Sequence, residues 1–137
     1  MVVARWTENP EALVQLKVVP LFLNFMQMKT IYISLPMSGQ EDTIWERYIK
    51  AENELKEKFC NNVEIKGPHN IRDFEEPDKF EYDRDWCYYM SKDVEDLLRS
   101  DAIYLTKGWS KSKGCRVEKA ISLEMGKEII YAKDSEI

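Results

Sequence analysis

Residues 102–126 read AIYLTKGWSKSKGCRVEKAISLEMG, and this stretch decides the fold. It begins with a short apolar, β-branched and aromatic run, which is typical of a buried strand. A tight loop from Gly108 to Gly114 follows, and residues 115–126 then form a predicted helix that ends at Gly126. A strand that leads through a short loop into a helix is the repeating unit of α/β folds.

The rest of the chain from residue 29 onward repeats this unit. Residues 30–34 predict a first strand that breaks at Pro36. After Asp42 and Thr43, apolar residues recur at helical spacing as far as Phe59 and predict a long amphipathic helix. Residues 63–65 predict a weak second strand, residues 86 to about 100 a second helix, and residues 129–132 a last strand.

The resulting β-α-β-α-β-α-β order predicts an α/β fold. We expect three layers built on a doubly wound parallel sheet of four to five strands, of the flavodoxin or Rossmann-like type. Ligands of such folds bind beyond the carboxyl ends of the strands, here in the loops after Ser34 and Thr106. The first of these loops reads SLPMSG, which is neither the GxGxxG nor the GxxxxGK fingerprint. The usual dinucleotide and ATP sites are therefore excluded.

Composition and charge narrow the classes of function. A chain of 137 residues is about one domain long, and we assign residues 29–137 to it. The net charge of −5 argues against a nucleic-acid polymer as partner. His69 is the only histidine and is interpreted as a turn residue, with a catalytic role as the alternative; a single histidine excludes a multi-histidine metal site, and we expect no metal and no other cofactor. We expect mostly buried, reduced cysteines in a cytoplasmic protein; these are Cys60, Cys87 and Cys115.

Residues 1–28 do not fit this domain. Their apolar stretch, residues 12–26, is too short and too polar to span a bilayer, and we expect no membrane association. A secretory signal is disfavoured because Glu8 and Glu11 stand where a basic region belongs. We interpret the segment as a non-core extension. Either the physiological start is Met26 or Met28 and the residues before it come from an earlier start, or the segment is an arm that packs on a partner subunit.

Asp93 lies at an unusual position on the second predicted helix. At about 100° per residue it falls about 60° from Met90 and about 40° from Leu97, next to the apolar stripe. A carboxylate there either caps another group or works in a cleft. Upstream of this helix, residues 67–85 form a loop rich in Pro, Asp and Glu, and loops of this length are usually functional.

Glu118 is the corresponding candidate on the third predicted helix. The apolar face predicted for this helix consists of Val117, Ile121 and Met125. Glu118 borders this face in the first turn, close to the Gly108–Gly114 loop and hence to the carboxyl edge of the sheet. Glu124 also borders the face, but it lies about a turn and a half further from that edge. Geometry therefore favours Glu118.

Residues 110–114, SKSKG, lead into the N-terminus of the same helix. Free backbone N–H groups and the helix dipole favour an anion there, and the hydroxyls and lysines would assist, so that a phosphate fits. Alternatively, Ser112 only caps the helix and the lysines are solvated. Both interpretations stay open on the residues alone.

Three segments together resemble a known family. They are residues 31–39 (IYISLPMSG), Asp93 with Asp101 eight residues later, and residues 108–118 (GWSKSKGCRVE). With these segments the chain resembles the uncharacterised DUF4406 family, a branch of the nucleoside 2-deoxyribosyltransferase-like group. That group also includes the deoxynucleoside 5′-monophosphate N-glycosidases. The resemblance covers nearly all of residues 29–132.

The resemblance implies a role for each candidate. Glu118 takes the place of the nucleophilic glutamate, Asp93 that of the aspartate that assists proton transfer at the leaving base, and Tyr32 that of the tyrosine that orients the nucleophile. Ser112 falls where the monophosphate hydrolases bind phosphate, and Asp101 matches an aspartate that we interpret as structural. The residues expected to bind substrate are Ser34, Ser38, Gly39, Trp109, Ser112 and Gly114.

The expected reaction is cleavage or transfer at the N-glycosidic bond of a (deoxy)nucleoside or its 5′-monophosphate, through a covalent intermediate on Glu118. The sequence departs from the family pattern at Leu35, where a glycine is usual, and no arginine stands at Met37 or Ser38. These departures support an alternative, a nucleotide-binding or nucleotide-sensing module of the same fold without chemistry. A third possibility is a mainly structural domain within an assembly.

The remaining expectations concern aromatic residues and partners. The resemblance implies a homodimer or higher oligomer, since sites in this group are commonly completed by a neighbouring subunit. The exposed aromatic residues either serve that interface or cover the sheet; they are Trp86, Tyr88 and Tyr89. Trp109 either stacks on a base or closes its loop.

Overall fold

The computed structural model describes residues 28–69 and 86–137 of the chain. In chain order the helices and strands are β1 (Lys29–Ser34), α1 (Ile44–Lys58), β2 (Val63–Lys66), α2 (Trp86–Leu98), β3 (Ala102–Leu105), α3 (Lys113–Glu124) and β4 (Glu128–Tyr131). Short 3-10 turns precede α1 at Glu41–Thr43 and α3 at Trp109–Lys111. The order of helices and strands predicted from the sequence is confirmed, with shifts of one or two residues at their ends.

Two of the sequence-based expectations concern residues outside the part of the chain that the structure describes. The non-core extension, apart from Met28, and most of the 67–85 loop lie outside the described residues. Within residues 28–69 and 86–137, no helix combines the length and the apolar character that a membrane crossing requires.

The four strands form one parallel sheet in the order β2-β1-β3-β4. From β1 the chain moves to one side to form β2, and it then crosses over to form β3 on the other side. The strand order therefore reverses between β1 and β3, where Tyr32 pairs with Ile103 and Ser34 with Leu105. The loops that follow these two strands diverge at this point and leave a crevice at the carboxyl edge. The predicted α/β fold with a parallel sheet is confirmed.

Helices cover both faces of the sheet, so the two central strands, β1 and β3, are buried on both sides. The buried residues on the α1 face include Ile31, Ile33, Leu35, Ala51 and Leu55. Those on the face of α2 and α3 include Tyr32, Leu97, Ile103, Leu105 and Cys115. Side chains alternate along a strand, so Tyr32 and Ser34 of β1 point to the same face as α3. That alternation brings two hydroxyl groups beneath the helix that carries Glu118.

The buried face of α3 differs from the predicted one. The predicted apolar face included Met125, which lies one residue beyond the last helical residue and is 59% exposed. The side chains that α3 buries are Cys115, Glu118 and Ser122. Polar groups of this buried face have hydrogen-bond partners: the Ser34 hydroxyl of β1 donates to the Glu118 carboxylate, and the Ser122 hydroxyl donates to the Glu118 carbonyl oxygen of its own helix.

The cysteines are less buried than predicted. Cys115 is buried, but Cys60 and Cys87 are exposed. Cys60 follows α1 in a turn with positive φ, and Cys87 lies in the first turn of α2, so neither position faces the core. All three are free thiols.

Asp101 joins the start of β1 to the start of β3. Its carboxylate Oδ2 accepts a hydrogen bond from the Thr30 N–H at 2.8 Å, and its own N–H donates to the Thr30 carbonyl at 2.8 Å. We expect Asp101→Asn to lower the free energy of unfolding by about 1 kcal/mol, because the amide weakens the charge-assisted bond. Urea denaturation monitored by circular dichroism measures this.

Glu124→Gln is the control for the same loss of charge at an exposed position. We expect the control to stay within about 0.5 kcal/mol of the wild type. Equal effects of the two substitutions would argue against a role of the Asp101 side chain in joining the strands.

Candidate active site

A cavity of about 470 Å³ opens at the carboxyl edge of the sheet, between the loops after β1 and β3. Its walls come from the Leu35–Gln40 loop, from α2, from residues 108–114 and from the start of α3. Both Glu118 and Asp93 line it. The two carboxylates selected from the sequence therefore face one space.

Glu118 lies in the wall of this cavity and is only 5% exposed. Its Oε1 accepts a hydrogen bond from the Ser34 hydroxyl at 2.9 Å. One turn further along the same helix, the Ser122 hydroxyl donates to the Glu118 carbonyl oxygen at 2.9 Å. The competing glutamate, Glu124, is exposed and does not reach the cavity.

Two buried polar atoms within residues 28–69 and 86–137 have no hydrogen-bond partner: Glu118 Oε2 and the Tyr32 hydroxyl oxygen. Tyr32 lies at the centre of the core with no exposed surface. Its pKa is raised well above the ordinary value by burial and by the neighbouring Glu118 charge. The hydroxyl is near enough to favour the ionised carboxylate, although no hydrogen bond of normal geometry joins the two groups. The carboxylate thus keeps one oxygen free.

Burial raises the pKa of Glu118 to about 7, and the Asp93 charge adds to the rise. The hydroxyl groups of Tyr32 and Ser34 act in the opposite direction, because they stabilise the ionised form. At neutral pH the side chain is therefore divided between its protonated and ionised forms. A carboxyl group with such a pKa is typical of a functional site.

This raised pKa predicts a pH-dependent cost in stability. The folded-state pKa of about 7 exceeds the ordinary 4.5, so the unfolded chain ionises first as the pH rises through this window. The wild type should lose about 2 to 3 kcal/mol relative to Glu118→Gln between about pH 4.5 and pH 7, and nothing further above it. Urea denaturation of both proteins across this range measures the difference. A difference that stays constant with pH would contradict the raised pKa.

Asp93 lines the cavity from α2 and is 8% exposed. Its Oδ1 accepts a hydrogen bond from the His69 N–H at 2.8 Å and lies 3.0 Å from His69 Nδ1. Burial raises the pKa of Asp93, while His69 acts to lower it. The other ring nitrogen of His69, Nε2, lies 3.4 Å from Asp96 Oδ2. His69 therefore bridges two carboxylates of α2.

The contact with Asp93 was not foreseen from the sequence, which favoured a turn residue over a catalytic one at His69. A signal was nevertheless present: His69 follows β2 by three residues and so lies at the same carboxyl edge as the other candidates. Three further residues that sequence analysis did not assign to a site form an apolar part of the cavity wall. They are Trp86, Tyr89 and Met90 on α2.

Three of the residues predicted to bind substrate, Ser38, Ser112 and Gly114, line the cavity, together with Lys111 and Lys113. The Ser112 hydroxyl also accepts a hydrogen bond from the Cys115 N–H at 3.3 Å and so caps α3. Helix capping is thus present at Ser112. Phosphate binding there stays a prediction.

Of the residues predicted to bind substrate, Ser34, Gly39 and Trp109 are not among those that line the cavity. The Gly39 N–H donates to the Glu41 carboxylate in a turn where φ is +77°. Trp109 is 8% exposed and packs in the core with its indole N–H donating to the Glu136 carbonyl at 2.8 Å. Lys119 Nζ lies 4.2 Å from the ring centroid. These contacts match the closing of the loop, which is one of the two interpretations open for Trp109.

A family model described as a domain of unknown function, DUF4406, matches residues 29–131. No curated protein matches the chain. The matched residues include both strands that flank the cavity and all of α3.

Proposed function

We propose, for a chain that belongs to the DUF4406 family, that its cavity cleaves or transfers the N-glycosidic bond of a (deoxy)nucleoside or its 5′-monophosphate. The observation that carries this proposal is the state of Glu118. Its buried carboxylate is held at Oε1 by Ser34, Oε2 has no hydrogen-bond partner in the described part of the chain, and the residue is one of those that line the cavity. A fixed carboxylate with one free oxygen is what attack at a sugar carbon requires.

The chemistry needs two groups with different tasks. Breaking an N-glycosidic bond creates positive charge at C1′ and negative charge on the leaving base. In the proposed step, Glu118 Oε2 forms a bond to C1′ as the C1′–N bond breaks, and the electron pair of that bond stays with the base nitrogen. Asp93 delivers a proton to the base. The raised pKa of Asp93 supports this role, because a larger fraction of the side chain is protonated than in an ordinary aspartate.

Glu118 must be ionised when it attacks. In the free protein its pKa of about 7 leaves it partly protonated. Positive charge that develops on the sugar favours the ionised form, as do the hydroxyl groups of Tyr32 and Ser34. The same burial that disfavours the charge in the empty cavity strengthens its attraction to a cationic sugar.

The two ends of the cavity wall differ in chemistry. Trp86, Tyr89 and Met90 offer apolar surface to a base, whereas Lys111, Ser112 and Lys113 offer positive charge and hydroxyl groups to a 5′-phosphate. The resemblance to the monophosphate N-glycosidases supports this orientation. Attack of water on the sugar–Glu118 bond makes the protein a hydrolase, and attack of a second base makes it a transferase.

The proposal also covers the class of ligand, the cellular compartment and the oligomeric state of the protein. Its ligand is a small molecule, not a nucleic-acid polymer, in agreement with the net charge of −5. Three free thiols support a reducing compartment, and we place the protein in the cytoplasm. A homodimer or larger homo-oligomer follows from the superfamily resemblance.

A non-catalytic nucleotide-binding module is the second candidate. The specific observation that favours it is Leu35, which stands where the related enzymes usually have glycine and contributes an apolar side chain to the cavity wall. This candidate predicts that a nucleotide binds and is recovered unchanged.

Chromatography of reaction mixtures tests both functions. The purified protein is incubated separately with each 2′-deoxynucleoside and each 2′-deoxynucleoside 5′-monophosphate, with and without a second free base. Release of the base without an acceptor supports a hydrolase, and exchange of the base only in the presence of an acceptor supports a transferase. Binding measured by calorimetry without any product supports the non-catalytic module.

A further inference from the structure

The segment after β4 returns to the loop that follows β3. Glu136 Oε2 accepts a hydrogen bond from the Gly108 N–H at 3.0 Å. Its Oε1 accepts two more, from the Ser110 N–H at 3.1 Å and the Ser110 hydroxyl at 2.9 Å. The Glu136 carbonyl oxygen accepts a fourth from the indole N–H of Trp109 at 2.8 Å. One residue thus binds three consecutive residues of the loop.

The backbone of the loop is shaped for this contact. Gly108 has a φ of +87°, a left-handed conformation that glycine adopts without strain. A left-handed residue followed by a helical turn directs successive N–H groups towards one point, where they attract an anion. These donors lower the pKa of Glu136 to about 2, with the Gly108 N–H as the largest cause. Glu136 therefore stays charged throughout the physiological range.

The loop held in this way forms part of the candidate active site. Gly108, Lys111 and Ser112 line the cavity, and Ser112 caps the helix that carries Glu118. Glu136 itself is not among the cavity-lining residues of the described chain. It also lies beyond residues 29–131, which the family model matches.

We propose that Glu136 is a positioning residue for ligand binding: from outside the cavity it fixes residues 108–112 in the conformation that the ligand contacts. The consequence for kinetics rests on the proposed function. Without its carboxylate, three donors of the loop lose their partner, and the loop samples other conformations. The contacts of Glu118 with Ser34 and Ser122 do not involve this loop. Loss of Glu136 should therefore weaken substrate binding more than it slows the chemical step.

Three variants test this inference. Glu136→Ala removes all acceptors of the side chain, whereas Glu136→Gln keeps one oxygen for the Ser110 donors and should restore part of the effect. Glu124→Ala is the matched control, since it removes an exposed glutamate that has no place in the site. Amide hydrogen exchange by NMR measures the loop in the free protein. Calorimetry measures the Kd, and steady-state kinetics the KM and kcat, for each of the four 2′-deoxynucleoside 5′-monophosphates.

For Glu136→Ala we expect the Gly108 and Ser110 amides to exchange at least about tenfold faster, while amides of β1 and β3 are unchanged. KM and Kd should rise about tenfold with kcat within about threefold of the wild type, and Glu136→Gln should fall between the two. Unchanged exchange at Gly108 and Ser110 would overturn the inference, as would uniformly faster exchange over the whole sheet. Faster loop exchange with an unchanged Kd would overturn the role in binding.

Failure of the proposed function looks different. A wild-type protein that neither binds nor converts these nucleotides would refute the function, and the ligand measurements would then show nothing for any variant. The exchange rates of the free protein would still decide whether Glu136 holds the loop.

Discussion

Glu118→Gln should reduce the rate of base release by at least about 10³-fold, because an amide oxygen cannot form the covalent bond to C1′ that the carboxylate forms. Glutamine has nearly the same shape. Its amide oxygen still accepts the hydrogen bond from Ser34, so the cavity and the fold should be preserved. The decisive measurement is the single-turnover rate of base release, followed by chromatography with enzyme in excess over substrate.

The control for this prediction is Glu124→Gln, the same change on the exposed side of the same helix, which should leave the rate unaltered. Calorimetry with substrate separates chemistry from binding: Glu118→Gln should bind within about tenfold of the wild type. A variant that retains more than about a tenth of the wild-type rate would exclude Glu118 as nucleophile.

Asp93→Asn should reduce base release by about 10³-fold for ordinary nucleotides, which is within the range for loss of a general acid. The size of the loss should depend on the leaving group. A purine already methylated at N7 carries a positive charge and leaves as a neutral molecule without a new proton. For an N7-methylated 2′-deoxyguanosine 5′-monophosphate we therefore expect the loss to shrink to about tenfold or less.

Asp96→Asn is the control for Asp93, because Asp96 lies on the same helix and also contacts His69 but does not line the cavity. Its rate should stay near that of the wild type with both substrates. If Asp93→Asn slowed both substrates equally, Asp93 would act in binding or in holding His69 instead of in proton transfer.

The fold was predictable because the signals for it are local. The strand, loop and helix of residues 102–126 each carry their own periodicity, and their alternation leaves few possible topologies. Glu118 was selected as a candidate for a partly wrong reason: it was placed at the edge of an apolar face, whereas it lies at the centre of the buried face of α3, between Cys115 and Ser122. The hydroxyl that makes this burial tolerable comes from Ser34, which is 84 residues away in the chain.

The contacts of His69 and Glu136 could not be predicted for the same reason. Both are contacts between residues far apart in the sequence: His69 bonds to Asp93, 24 residues away, and Glu136 bonds to Gly108, 28 residues away. Neither residue belongs to a periodic pattern, and a single glutamate near the end of a charged segment resembles any solvated side chain. Only the topology of the sheet places these residues at one edge.

The two buried atoms that have no hydrogen-bond partner among the described residues have a consequence for the evolution of this protein. Glu118 Oε2 and the Tyr32 hydroxyl are buried without partners among the described residues, and burying a polar atom without a hydrogen bond lowers the free energy of unfolding. Selection for thermal resistance and selection for use of the cavity therefore act in opposite directions on the same two side chains. A related protein that kept the fold but no longer used the cavity could replace both side chains. Joint replacement of Glu118 and Tyr32 in a relative would therefore indicate that its cavity is no longer used.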